Sequence, residues 1–191
     1  MPINTLVTTW SARDGDPYAY ASPDLVLPRE VQISVEDEPE LEMDLTIDVE
    51  YDDKLQRYVA RRVEARAREG QEIRGANLRA VRVQQYVQEG LNGAVTVSRN
   101  DGRELEFPIA EDLASELTAA GPSSQRTMLY VARIYRMAEI MNLPPAREIQ
   151  TQLHLTAPTA SVWIRRARDR GLLPQPGESD GLPSHPGLDR G

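Results

Sequence analysis

Cysteine is absent from the 191-residue sequence, so a disulfide, a thiolate nucleophile and cysteine-held zinc are all excluded. Histidine occurs only twice. His185 stands in a Pro/Gly-rich stretch far from His154, and no histidine pair has metal-ligand spacing. Signatures that couple a nucleophile to a base are missing as well, which leaves no catalytic residue, metal ligand or cofactor site to assign. No apolar run approaches the roughly 18 residues of a membrane helix and no basic-then-apolar leader is present, so the expected location is the cytoplasm. Lysine is nearly missing: Lys54 stands alone among 22 basic residues, a bias that points to a GC-rich genome rather than to function. Phenylalanine occurs once, yet a hydrophobic content of 40% suffices for one domain or two small ones.

What is present gathers in residues 144–171, PPAREIQTQLHLTAPTASVWIRRARDRG. Pro144 and Pro145 stop one helix and suit the start of another, in which Ile149 and Leu153 recur four residues apart. Leu155 packs the turn, Thr156 is placed to cap a second helix over 156–170, and Pro158 is tolerated in its first turn. At about 100° per residue, Ala160, Trp163, Ile164 and Ala167 fall on one side, while Pro158, Ser161, Val162, Arg165 and Asp169 fall on the other. The first side is expected to be core. The second suits a recognition helix, with Thr156, Ala157, Pro158, Thr159, Ser161 and Val162 at its leading end, followed by Arg165, Arg166 and Arg168 for phosphates or a guanine edge. Arg170 extends the basic run, and an arginine fork serves either task.

Upstream, Met128, Val131, Ile134, Tyr135, Ala138 and Met141 keep helical spacing and supply the third helix that such a unit requires. Charge agrees. Residues 124–175 hold eight arginines against three acids, a net +5 inside a chain of −8, so the remainder carries −13. A basic segment in an acidic chain is the electrostatic footprint of a phosphate-binding surface, and the acidic remainder repels DNA.

The stretch LHLTAPTASVWIRRARDRGLL, preceded by VARIYRMAEIMNLPPAREIQTQ, resembles the C-terminal helix-turn-helix of a large group of actinobacterial and actinophage DNA-binding proteins. The likeness covers about a quarter of the chain and is most specific at Thr159, Ala160, Trp163, Arg165, Arg166, Ala167, Arg168 and Gly171. It implies a DNA-binding, regulatory protein. Three positions depart from the pattern: His154 replaces the usual turn glycine, Gln150 a small alanine, and Ala157-Pro158 a basic or hydroxyl residue.

The first 121 residues read differently. Leu41, Met43, Leu45, Ile47, Val49 and Tyr51 alternate with acidic or hydroxyl residues, the period of a strand with one buried face. Val31, Ile33 and Val35 alternate before it. After a turn at Asp52-Asp53-Lys54, Leu55 to Arg66 continues with Val59 and Val63 among arginines, which makes three antiparallel strands. Glu42, Asp44, Asp48 and Glu50 are expected to form a solvated face ion-paired to the neighbouring arginines, in preference to a metal or acid/base site. A helix over 75–91, with Leu78, Val81, Tyr86, Val87 and Leu91 apolar, is expected to cover the sheet. A hairpin setting Val95 and Val97 against Leu105 and Phe107 across Asn100-Asp101-Gly102 follows, then a helix over 109–120.

The expected organisation is therefore α+β. An antiparallel sheet with a covering helix occupies 1–121, a three-helix helix-turn-helix occupies 122–173, and a Pro/Gly-rich disordered tail occupies 174–191. The expected function is a sequence-specific transcriptional regulator that inserts helix 156–170 into the major groove of double-stranded DNA. It is expected to act as a homodimer, with the α+β part serving dimerisation or an unknown protein or small-molecule effector. Two alternatives stand beside it: a DNA-recognition or assembly component of phage or mobile-element origin, similar to a terminase small subunit, and a protein-interaction adaptor whose arginine helix meets an acidic partner.

Overall fold

The computed structural model describes residues 6–10, 18–22, 25–39, 41–92, 97–98, 104–105 and 107–175. In chain order these form β1 (Leu6–Trp10), β2 (Tyr18–Ser22), β3 (Leu25–Pro28), β4 (Glu30–Val35), β5 (Met43–Asp52), β6 (Arg57–Ala67), α1 (Gly75–Ala80) and α2 (Val83–Leu91). Then come β7 (Val97–Ser98), β8 (Glu104–Leu105), α3 (Glu111–Ala120), α4 (Gln125–Ile140), α5 (Pro145–Gln152) and α6 (Ala157–Asp169). The fold is α+β, with two antiparallel four-stranded sheets in the orders β1-β4-β5-β6 and β2-β3-β7-β8.

The alternation in β5 works as its period requires: Met43, Leu45, Ile47, Val49 and Tyr51 are buried and the residues between them are not. Val31, Ile33 and Val35 of β4 fill the same face, with Ile33 directly opposite Ile47. Beyond the three expected strands, β1 adds a fourth, pairing with β4 on the side away from β5. The turn into β6 is held by the Asp52 carboxylate, which accepts from the amides of Lys54 at 2.9 Å and Leu55 at 3.0 Å.

Val59 and Val63 do not share one buried face. A bulge in the β5–β6 pairing between Asp48 and Val49 inserts an extra β6 residue and inverts the alternation, so Val59 opposes Glu50 while Val63 opposes Ile47. β6 is also the sheet edge, which leaves Val63 45% exposed. Its one deeply buried anchor is Tyr58, set edge-on to Tyr51 with ring centroids 5.7 Å apart and its hydroxyl donating to the Pro28 carbonyl at 2.6 Å. Burial pushes both phenols up, Tyr51 to about 12.

The outer face of the sheet carries the expected ion pairs for three of the four acids: Arg61 with Glu50 at 3.0 Å and also with Asp52 at 2.7 Å, Arg62 with Asp48 at 3.5 Å, and Arg68 with Asp44 at 2.8 Å, while Glu42 instead accepts from Asn77 Nδ2 at 2.9 Å. The hydrogen bond from Arg68 holds the Asp44 carboxyl below its ordinary value, and the Leu55 amide, followed by Arg61, does the same for Asp52. Among the described residues no three acidic or histidine side chains converge as a metal-ligand set.

The helix expected over 75–91 is two helices. Val81 takes extended backbone and Arg82 also leaves the helical region between them, and α1 buries no residue, leaving Leu78 52% exposed. Of the two, α2 is the one that covers the sheet, through Tyr86, Val87, Gly90 and Leu91. Gly90 is the point of closest approach: a Cβ built there would lie 2.6 Å from Cδ1 of Ile33. Gly90→Ala gains helix propensity of about 0.5–1 kcal/mol, but overpacking a sheet-facing contact costs about 1–3 kcal/mol. The net expectation is a lower denaturant midpoint with an unchanged slope, read by urea unfolding.

In the second sheet Val97 pairs with Leu105, as the hairpin reading required. Residues 95 and 100–102 of that hairpin lie outside the described residues, and Phe107 is buried. Strands β2 and β3 join the same sheet, and no alternation in the sequence marks them.

The division expected at residue 121 falls inside a helical cluster. Gly121, at φ 70°, turns the chain from α3 into α4, and α3 packs with the helices that follow. The Thr127 hydroxyl donates to the Leu117 carbonyl at 3.1 Å, the Thr118 hydroxyl to that of Leu153 at 3.0 Å, and the Ile109 amide to Gln152 Oε1 at 3.2 Å. One continuous set of buried apolar side chains runs from the sheet into α4, α5 and α6, and Arg57 on β6 hydrogen-bonds Asn142. Of the tail expected over 174–191, only Pro174 and Gln175 belong to the described residues. Among those residues no helix is long and apolar enough to cross a membrane.

Candidate nucleic-acid interface

Three helices in succession end in the same way. After α4, Asn142 takes φ 55° and the Leu143 amide bonds the Ala138 carbonyl at 2.7 Å. After α5, His154 takes φ 50° and Leu155 bonds Gln150 at 3.0 Å. After α6, Gly171 takes φ 70° and Leu172 bonds Ala167 at 2.9 Å. Each is a Schellman closure, in which one left-handed residue reverses the chain and an apolar residue folds back on the helix. His154 thus stands in a conformation that favours glycine, and its ring Nε2 meets the Glu111 carboxylate at 2.9 Å on the exposed surface.

These closures bring α4, α5 and α6 into mutual contact. Ser124 caps α4, accepting from the Thr127 amide at 3.3 Å, and Met128, Val131, Ile134, Ala138 and Met141 face the core. Pro145 opens α5, from which Ile149, Gln152 and Leu153 point inward. Gln152 is buried but satisfied, since it accepts from the Ile109 amide and donates to Glu148. Gln150, in place of the small residue of the resembled pattern, curls onto its own helix and donates to the Ala146 carbonyl.

Ala160, Trp163, Ile164 and Ala167 of α6 are all buried. Ala157, Pro158, Ser161, Val162, Arg165, Arg166 and Asp169 are exposed, as is the capping-position Thr156, and Thr159 is half-buried. Thr156 occupies the N-cap without capping a backbone amide. Pro158 has no amide to offer, and the Thr159 hydroxyl meets that of Thr156 at 2.8 Å. Ser161 donates to the Ala157 carbonyl at 3.0 Å.

The arginines divide sharply. Arg147, Arg165 and Arg166 are exposed, and among the described residues none of their side chains makes a hydrogen bond or an ion pair. Arg168, expected on spacing to contact DNA, is instead turned toward α4. Its Nη2 donates to the Tyr135 hydroxyl at 3.0 Å, its Nε to the Pro174 carbonyl at 3.1 Å, and its guanidinium lies 5.4 Å from the Tyr135 ring centroid. Arg170 reaches back to the carbonyls of Pro122, Ser123 and Ser124 at 3.1–3.3 Å. Arg126 pairs with Glu116, and Arg133 lies over the Tyr130 ring at 5.1 Å. Four of the eight arginines of this segment, Arg126, Arg133, Arg168 and Arg170, are therefore engaged within the fold; Arg136 of α4 is half-buried with an unbonded Nε, and Arg147, Arg165 and Arg166 are left exposed on α5 and α6. Nothing in the sequence distinguishes Arg147, because its exposure depends on which side of a short helix meets the core.

No protein-family model, curated protein or solved structure matches the chain.

Proposed function

We propose that α4, α5 and α6 form a helix-turn-helix unit that binds double-stranded DNA, and that the protein is a sequence-specific transcriptional regulator of the cytoplasm. The observation that carries this reading is the division of α6. One side is pinned by Trp163, Ile164 and two alanines, and the other is exposed and carries Arg165 and Arg166, with no side-chain partner among the described residues, ahead of the terminal Asp169. Within the same cluster Arg126 is paired with Glu116, whereas Arg165 and Arg166 carry no such pairing among the described residues. A helix bound for the major groove needs a rigid apolar underside and donors free to meet base edges and phosphates.

In this reading Arg165 forks a guanine edge, while Arg166 and Arg147 meet phosphates on either side. Arg168 and Arg170 fix the far end of α6 against α4 and the turn before it. The acidic sheet, with its ion-paired outer face, stays away from the phosphate backbone and orients the helical cluster toward it. One such unit offers a small interface, so two copies on half-sites about one helical turn apart are expected. Selection of bound duplexes from a random pool tests the proposal. An enriched motif with two such half-sites is the expected result, and recovery of no enriched sequence contradicts it.

A further inference from the structure

The outward face of α6 is less polar than its composition implies. Ser161 has committed its proton to the Ala157 carbonyl, and the hydroxyls of Thr156 and Thr159 close on one another. What projects past them is carbon: Ala157 and Pro158 are exposed, and Val162 is 36% exposed, outside the buried stripe of Ala160, Trp163, Ile164 and Ala167. Valine is a poorer helix former than the polar residues common on solvated faces, so helix stability gives no reason for it there. One turn further on, the Arg165 guanidinium has no hydrogen bond or ion pair among the described residues.

We propose that this face reads a thymine followed by a guanine, resting on the DNA-binding reading above. Val162, with Pro158 one turn before it on the same face, packs on the thymine C5 methyl, which the major groove exposes on that base alone. Arg165 donates both arms of its fork to O6 and N7 of the guanine. The spacing fits, since three helical residues rise about 4.5 Å and stacked bases about 3.4 Å, which sets the two bases one or two pairs apart. Ser161, its proton in use, can only accept, so it suits the amine of adenine or cytosine beside them.

Deoxyuridine deletes the thymine methyl and nothing else. In the selected duplex, each thymine replaced by uracil in turn is expected to leave binding unchanged except at the positions under Val162. There the affinity of the full chain falls about fourfold per methyl. Val162→Ala, an exposed change that leaves the core intact, is expected to bind the thymine and uracil forms equally well. Arg165→Ala should keep the uracil effect and lose the preference for guanine. If the chain enriches a motif yet ignores every uracil, or binds DNA with no enriched sequence, the thymine reading is overturned while DNA binding stands. Failure to bind any duplex at low salt overturns both.

Discussion

Trp163→Ala is expected to lower the stability of the protein by about 3–5 kcal/mol, the cost of emptying a large aromatic site in a packed core. Trp163 is only 5% exposed and shares its cluster with Ile164, Ala160, Ile149 and Leu153. Nothing smaller is positioned to fill the space, because two of the other inward residues of α6, Ala160 and Ala167, are alanines already 0% exposed. The continuous core joining sheet and helices makes a single unfolding transition the expectation. Chemical denaturation followed by circular dichroism and by fluorescence should therefore give coincident curves, both shifted to lower denaturant. Two separate transitions, with only one of them moved, would show that the helical cluster folds independently of the sheet.

Replacing Arg165 and Arg166 together is expected to act on binding and leave the fold intact. Both are exposed, and neither has a partner among the described residues whose loss would be felt. Loss of a bidentate base contact costs about 1–3 kcal/mol, and each phosphate contact removed lessens the salt dependence by about one unit of slope. Arg165→Ala/Arg166→Ala should thus bind duplex DNA at least tenfold more weakly, with a flatter salt plot and an unchanged circular dichroism spectrum. Arg168→Ala should do the opposite. It frees the Tyr135 hydroxyl and the Pro174 carbonyl, lowering stability by about 1.5–3 kcal/mol, while the salt slope of the folded fraction stays that of the parent. Fluorescence anisotropy across a salt series, read beside thermal melting, separates the two behaviours.

The parts legible in the sequence were those where one local period decides the outcome. The strict alternation of β5 fixed its buried face, and the spacing of Ala160, Trp163, Ile164 and Ala167 fixed the underside of α6. Even the glycine-like turn could be located, with His154 in it. What escaped was decided by partners remote in sequence. Arg168 and Arg170 are indistinguishable from Arg165 along the chain, yet their destinations are Tyr135, 33 residues away, and Ser124, 46 away. The bulge opposite Asp48 and Val49 inverted the face of Val59 without changing a residue type. β1, β2 and β3 are only four or five residues long, too short for alternation to speak. The interruption at Val81 and Arg82 lies within an apolar pattern that two helices satisfy as well as one. Residues 111–120 read correctly as a helix, but only the bonds of Thr118 and Thr127 assign it to the C-terminal cluster.

Binding of the whole chain to double-stranded DNA, measured by anisotropy from about 50 mM salt upward, tests the central claim most directly. The expected result is tight binding at the low end, with log affinity falling linearly against log salt by about 0.9 for each phosphate contacted. Absence of binding at about 50 mM salt, where attraction to the phosphates is strong, contradicts it and leaves the arginines of α6 to an acidic protein partner.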